Sequence, residues 1–180
     1  MVTGTVHLST DNLRQYLPSL NAGDRILLSG TVYTSRDAAH KRIFELLEKG
    51  AELPYSLMDA VIYYTGATPA PKGLPIGSCG PTTSSRMDLY APRLYGLGVA
   101  ATIGKGNRSA EVEEAIKRNR AVYFCAVGGA GALAAQSVLS SEVVAFEDLG
   151  CEAVHKLRLD RFPLIVGIDS RGRNLFKLRG

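Results

Sequence analysis

Four consecutive hydroxyl residues and an arginine follow a glycine-flanked cysteine in Gly77-Ser78-Cys79-Gly80-Pro81-Thr82-Thr83-Ser84-Ser85-Arg86. The glycines free the backbone, and Pro81 fixes φ at the threshold of a helical stretch. Hydroxyls, amide N–H groups and Arg86 would then converge on one point, which suits a carboxylate or phosphate. A plain capped helix needs only one hydroxyl, so three of these are surplus to capping.

Two further segments carry related chemistry. In Thr31–His40 a strand ends and Thr34, Ser35, Arg36 and Asp37 stand at the start of a helix, with His40 one turn along. Taken alone, that is an Asp-capped helix with a solvated arginine. In Ile103-Gly104-Lys105-Gly106-Asn107-Arg108-Ser109, a lysine between two glycines gains nothing from packing. It reads equally as a ligand contact or a surface turn, and it lacks the spacing of a Walker A loop. Gly129-Ala130-Gly131-Ala132-Leu133-Ala134 matches G-x-G-x-x-A, with Glu147 and Asp148 where a ribose-binding acid would stand. That unit comes late in the chain, so close backbone packing explains it more simply than a dinucleotide.

The elements that must position these groups follow from periodicity. Val2–Leu8 alternates as a strand, Asp11 caps a helix carrying Leu13, Tyr16 and Leu17, and a Gly23-Asp24 turn leads into a strand over Arg25–Tyr33. Ser35 and Asp37 open a helix with Ile43, Leu46 and Leu47 on one face, closed by Gly50. Ala60–Tyr64, Val99–Ile103, Ala121–Val127 and Val143–Phe146 are nearly all apolar, as strands covered on both faces are. Helices are expected at Ser84–Leu94, Ser109–Arg120 and Ala130–Val138. The tail reads as strands at His155–Leu159 and Pro163–Asp169, then a hairpin into Asn174–Leu178. This order defines a mixed α/β layer protein in one domain over 1–180.

Composition sets limits. The chain of 180 residues is 46% hydrophobic and 21% charged, an ordinary globular mix that excludes a disordered or fibrous chain. Its net charge of +4 resides in the last 30 residues, where seven basic side chains face three acidic ones. They alternate with leucines and valines as on the wet face of a sheet, and no aromatic platform accompanies them, so neither nucleic acid nor a membrane is expected as a partner. Cys79, Cys125 and Cys151 form no C-x-x-C pair; a reducing cytoplasm and a role as small buried hydrophobes are expected. The N-terminal residues lack both a basic leader and an apolar core, and no signal peptide is expected. Neither a Ser–His–Asp order, an H-E-x-x-H pair nor paired buried carboxylates stand beside the anion-binding positions. The chain reads as half of an active site.

Taken in order, GTVYTSRDAAHKR (30–42), YYTGATPAP (63–71), GSCGPTTSSRMD (77–88), IGKGNRS (103–109), GGAGALAA (128–135) and FPLIVGIDSRGRNLF (162–176) resemble the β subunit of class I, iron–sulfur fumarases, which is also the C-terminal domain of single-chain forms. The L-tartrate dehydratase β subunits share the pattern. The resemblance implies a swivelling β/β/α fold with layered sheets and flanking helices, and reversible hydration of fumarate to (S)-malate in a cytoplasmic hetero-oligomer. It also implies a [4Fe–4S] cluster held by three cysteines of a partner α subunit, its fourth iron acting as a Lewis acid. Carried over by residue, Arg36 and Arg86 grip the substrate's carboxylates and Lys105 adds a cationic contact. Thr82 matches the residue proposed to take a proton from carbon, with Thr83 beside it. Cys79 stands where the family usually has alanine and Ser85 where it often has glycine; neither departure touches Arg86 or the threonines. A tartrate dehydratase, a dinucleotide-binding domain and a non-catalytic anion-binding module are the alternative readings.

Overall fold

A computed structural model describes residues 4–126 and 131–178. Strand β1 (Val6–Ser9) leads through a short helical segment containing α1 (Leu13–Tyr16) to the long strand β2 (Arg25–Thr34). Then follow α2 (Asp37–Glu48), β3 (Val61–Tyr63), α3 (Ala91–Gly96), β4 (Ala101–Gly104), α4 (Ala110–Arg118), β5 (Val122–Cys125), α5 (Gly131–Gln136), β6 (Val138–Ala145) and β7 (Val154–Ile168). The expected mixed α/β architecture is present.

All seven strands belong to one sheet, in the order β1-β2-β3-β4-β5-β7-β6, and β7 pairs with β2 as well. Strands β1 to β5 run parallel, while β7 is antiparallel to β2, β5 and β6. The pairings β2-β3-β4-β5-β7-β2 therefore close a ring, and the expected layering of sheets comes from one sheet curling upon itself. Alternation along the short strands explains how this ring has two dry faces. Val61, Tyr63, Ala101, Ile103, Val122 and Phe124 point inward with Leu157, Leu159 and Val166 of β7. Ile62, Tyr64 and Tyr123 point outward, onto Ile43 of α2, Leu94 of α3 and Val112 and Ile116 of α4.

Helix α4 shows why the local sequence folds as it does. The Ser109 hydroxyl accepts from the Val112 N–H, Glu111 and Glu113 occupy the first turn, and Lys117 and Arg118 the last, complementing the helix dipole at both ends. At the base of the ring Arg14 gathers the segments that enter the parallel strands. It donates to the Asp59 carboxylate and to the carbonyls of Gly98 and Asn119.

Several expectations are corrected. Ser9, not Asp11, caps the first helical segment, since the Asp11 N–H donates to the Ser9 hydroxyl. The helix expected over Ser84–Leu94 is a 3-10 turn at Ser84–Met87 followed by the separate α3. The two tail strands are one, β7, continuous through Pro163. A bulge makes this possible: register shifts between Leu28 and Gly30, Arg161 has a φ of 46°, and its N–H donates to the Ser29 hydroxyl rather than to the ladder. Asn174 makes a single bridge to Ile168 instead of opening a final strand. Strand β6 begins at Val138, earlier than expected, and α5 ends at Gln136.

Candidate functional site

The parallel strands deliver the predicted residues to one end of the sheet. Arg36 follows β2, Lys105 follows β4, and the 77–88 segment is hung beyond β3, with the Thr82 N–H donating to the Tyr64 carbonyl at 2.7 Å. In open parallel sheets the carboxyl ends of the strands are where ligands bind. Thr83 and Lys105 pair as an isolated parallel bridge, and the Ser84 N–H donates to the Lys105 carbonyl at 2.9 Å. The two loops that looked independent in sequence are thus stitched side by side.

Close backbone approach enforces that stitching. A Cβ on Gly104 would overlap the Ser84 hydroxyl. The Ser84 hydroxyl itself meets the Tyr123 hydroxyl at 2.9 Å, and Tyr123 donates onward to the Gly106 carbonyl at 2.8 Å. A fully buried Arg108 side chain supplies a second brace. Its Nε donates to Asp88 at 2.7 Å and its Nη1 to the Thr102 hydroxyl, while its guanidinium lies over the rings of Tyr64 and Tyr123. Asp88 also accepts from the Ser109 N–H, so one carboxylate joins the two loops. Burial opposes the charge on Arg108, but the Tyr64, Tyr95 and Asp88 oxygens around it outweigh burial and keep it protonated. Nothing in the sequence pointed to this pair: Asp88 fell within the helix expected over Ser84–Leu94, and Arg108 was one residue of the 103–109 loop with no role of its own. Only their joint burial reveals the brace.

Arg36 and Arg86 meet through Asp37. Arg86 grips it with two donors, Nε to Oδ1 at 3.1 Å and Nη2 to Oδ2, and the Arg36 Nη2 lies 3.9 Å from that same Oδ2. Burial alone would raise the Asp37 pKa, but the Arg86 guanidinium holds the carboxyl below its ordinary value. Arg36 is partly buried, its Nε 3.4 Å from the Glu152 carboxylate without hydrogen-bond geometry. A Cβ on Gly66 would press on its Nη1, so that glycine leaves room for the arginine. The cap of α2 is Arg36 rather than Asp37, and no side chain caps the first turn. His40 instead fixes the Arg36 carbonyl, which lies 2.8 Å from both its backbone N–H and its Nδ1. The His40 ring stacks on Tyr90, and burial pushes its pKa down to about 4.

The positive end of a long helix, expected behind the Thr82–Arg86 run, is absent: the 3-10 turn there is four residues long. The positive charge at this end of the sheet is carried by side chains instead. Arg86 is about half exposed, Thr83 is exposed, and among the described residues the Lys105 ammonium forms no ion pair. Three cations and two threonines therefore line an open surface.

Other expectations resolve differently. In the glycine pattern, Gly129 and Ala130 lie outside the described residues. A Cβ on Gly131 would overlap the Ser78 hydroxyl, and the Cys79 N–H donates to the Gly131 carbonyl, so this glycine serves close packing against the 77–80 loop. Helix α5 then leads into an edge strand antiparallel to β7, not into a further parallel crossover. Arg171 and Arg173 of the basic tail bond to Asp169 and Asn21, and Lys177 bonds to Glu113. Cys79 is buried as expected, with its thiol pushed up to about 11 by burial, but Cys125 is half-buried and Cys151 exposed. Among the described residues no three His, Cys, Asp or Glu side chains converge to hold a metal ion, and no helix is long and apolar enough to cross a membrane.

A mixed α/β domain with an open, cationic, hydroxyl-bearing surface at the carboxyl ends of its parallel strands is the class this geometry defines. The chain belongs to the Fumarase C-terminus family, whose model matches residues 2–179. It is 37% identical over 184 residues to "Fumarate hydratase 2" of Leishmania major, covering 95% of this chain and 32% of that protein. It is 40% identical over 155 residues to "Fumarate hydratase class I, anaerobic" of Escherichia coli (strain K12), covering 85% of this chain and 28% of that protein. Against the "Putative L(+)-tartrate dehydratase subunit beta" of Methanocaldococcus jannaschii it is 37% identical over 166 residues, 88% of this chain and 84% of the relative. The chain thus spans about a third or less of the fumarate hydratases it matches, but most of the tartrate dehydratase subunit.

Proposed function

We propose that this chain is the β subunit of a two-subunit hydro-lyase that reversibly hydrates fumarate to (S)-malate, working with a separate α subunit. The observation that carries the reading is the convergence of Arg36, Arg86, Lys105, Thr82 and Thr83 at one end of the sheet, with both arginines already arranged around a carboxylate. Arginine suits this task because its planar fork meets a carboxylate with two parallel hydrogen bonds. The substrate's carboxylates would bind Arg36 and Arg86, with Lys105 adding charge. Thr82 would exchange the proton at the substrate carbon. A hydroxyl is a weak base at its ordinary pKa, so the surrounding cations must stabilise its alkoxide.

Iron–sulfur chemistry, when the [4Fe–4S] cluster is present, would supply the Lewis acid that polarises the substrate's oxygen. This chain's cysteines do not fit as its ligands, since among the described residues no three Cys, His, Asp or Glu side chains converge. The cluster would be held by the α subunit.

A second reading, an L-tartrate dehydratase β subunit turning tartrate into oxaloacetate, is favoured by one observation: this chain matches the tartrate dehydratase subunits over 84% and 85% of their length. Both readings use the same grip. In the assembled enzyme Arg86→Ala is expected to lower kcat/KM by roughly a hundredfold or more, since charge-assisted hydrogen bonds contribute about 1.5–3 kcal/mol each. Assaying fumarate and tartrate on one preparation separates the two substrates. Near-wild-type turnover of both by Arg86→Ala would contradict the grip.

A further inference from the structure

We infer that Asp37 is a positioning residue for the substrate grip, holding one edge of the Arg86 guanidinium so that its other edge faces the ligand. This inference rests on the proposed role of Arg86 and adds to it a residue that acts on substrate only through that arginine.

Arg86 offers five N–H donors in a rigid fork. Asp37 takes Nε and one donor of Nη2, and among the described residues Nη1 has no partner. The unused edge, Nη1 with the remaining Nη2 donor, is the one that can take a second carboxylate with two hydrogen bonds. The Asp37 Oδ2 also lies 3.9 Å from the Arg36 Nη2, so this single anion stands between two guanidinium groups that otherwise repel. Asp37 sits at the first position of α2, and its place is fixed by the helix rather than by a flexible loop.

The pair is poorly suited to a purely structural role. Arg86 and Asp37 side chains are 47% and 41% exposed, and ion pairs that open to water add little to folding stability. The buried partner of the same loop, Arg108 with Asp88, already supplies the structural brace. A bidentate pair at the surface instead fixes orientation, which for a dicarboxylate grip decides whether both ends of the substrate are met together.

Asp37→Asn, Asp37→Ser, Arg86→Ala and the Asp37→Asn/Arg86→Ala double variant, each assembled with the partner subunit, test the inference by steady-state kinetics on fumarate. Asp37→Asn keeps the shape but places an N–H₂ against the guanidinium, and Asp37→Ser keeps a helix-starting residue with one oxygen. Both are expected to raise KM about tenfold or more, the scale of one lost charge-assisted hydrogen bond to the substrate carboxylate, with kcat within about threefold and melting temperature nearly unchanged. In the Arg86→Ala background, Asp37→Asn is expected to change KM less than about twofold, because the two act as one unit. A KM unchanged or lowered in both Asp37 variants would overturn the inference while leaving the grip intact, as would additive effects in the double variant. Arg86→Ala with wild-type KM would overturn both together.

Discussion

Local spacing singled out the Thr82–Arg86 run and left Lys105 open between a ligand contact and a surface turn, whereas Arg36 read alone as a solvated arginine and gained its expected role only from the family resemblance. Hydroxyls in excess of capping, and a lysine between glycines, announce themselves within ten residues. Asp37 was visible only as a helix-starting acid. Its tie to Arg86 crosses 49 positions, and no local pattern encodes it. His40 was equally opaque: its spacing marked it as one turn from Arg36, but not that it would be wholly buried and bonded to the Arg36 carbonyl. That burial makes a measurable prediction. His40 has a folded pKa of about 4 against 6.5 when free, so the unfolded chain binds the extra proton between those values. The stabilising contribution of neutral His40 is complete above pH 6.5 and is lost as pH falls towards 4, at about 1.4 kcal/mol per unit and roughly 3 kcal/mol in all. Melting temperature should therefore fall more steeply over this range in the wild type than in His40→Gln. Parallel slopes would show that His40 is not the group being protonated.

The elements that carry the site were mostly legible, and the failures have physical causes. Three of the four all-apolar runs became β3, β4 and β5, covered on both faces as their composition conveys. The fourth, at Val143–Phe146, falls in and just after the mostly exposed edge strand β6 and is not covered on both faces. The Ser84–Leu94 helix is divided partly by a signal the sequence does carry, Pro92, which fits only in the first turn of α3. The other part is a tertiary constraint it does not carry, the Thr83–Lys105 bridge and the Ser84–Lys105 backbone bond that hold its beginning beside β4. Strand β7 was divided in expectation between Leu159 and Pro163, where the Arg161 bulge instead re-registers one continuous strand. Gly104 states the constraint most sharply. Since an added Cβ there would meet the Ser84 hydroxyl, Gly104→Ala should cost about 1–3 kcal/mol and displace the Lys105 loop. Removing that hydroxyl in Ser84→Ala relieves the overlap, so Gly104→Ala should cost less in that background. Thermal melts of the four proteins measure this, and an equal cost in both backgrounds would place the strain elsewhere.

At the scale of the whole molecule, one end of the ring is fastened and the other is open. Arg14 ties the entries to three strands at the base, and among the described residues the carboxyl ends present Arg86, Thr83 and the part-exposed Lys105 to solvent. The proposed half-site would need a second surface to complete it, and the fumarate hydratases of which this chain matches about a third are longer chains. The closing of one sheet into a ring was not legible, because the double pairing of β7 joins residues more than a hundred positions apart. In the proposed function, an iron-bearing partner would complete the active site of this chain. Anaerobic co-purification of the chain from its native source, with iron and fumarate hydration assayed on the same fraction, tests it most directly. The expected result is a stoichiometric partner that carries iron, and hydration of fumarate that disappears when the two chains are separated. A stoichiometric partner free of iron, in a fraction that hydrates neither fumarate nor dehydrates tartrate, would contradict it.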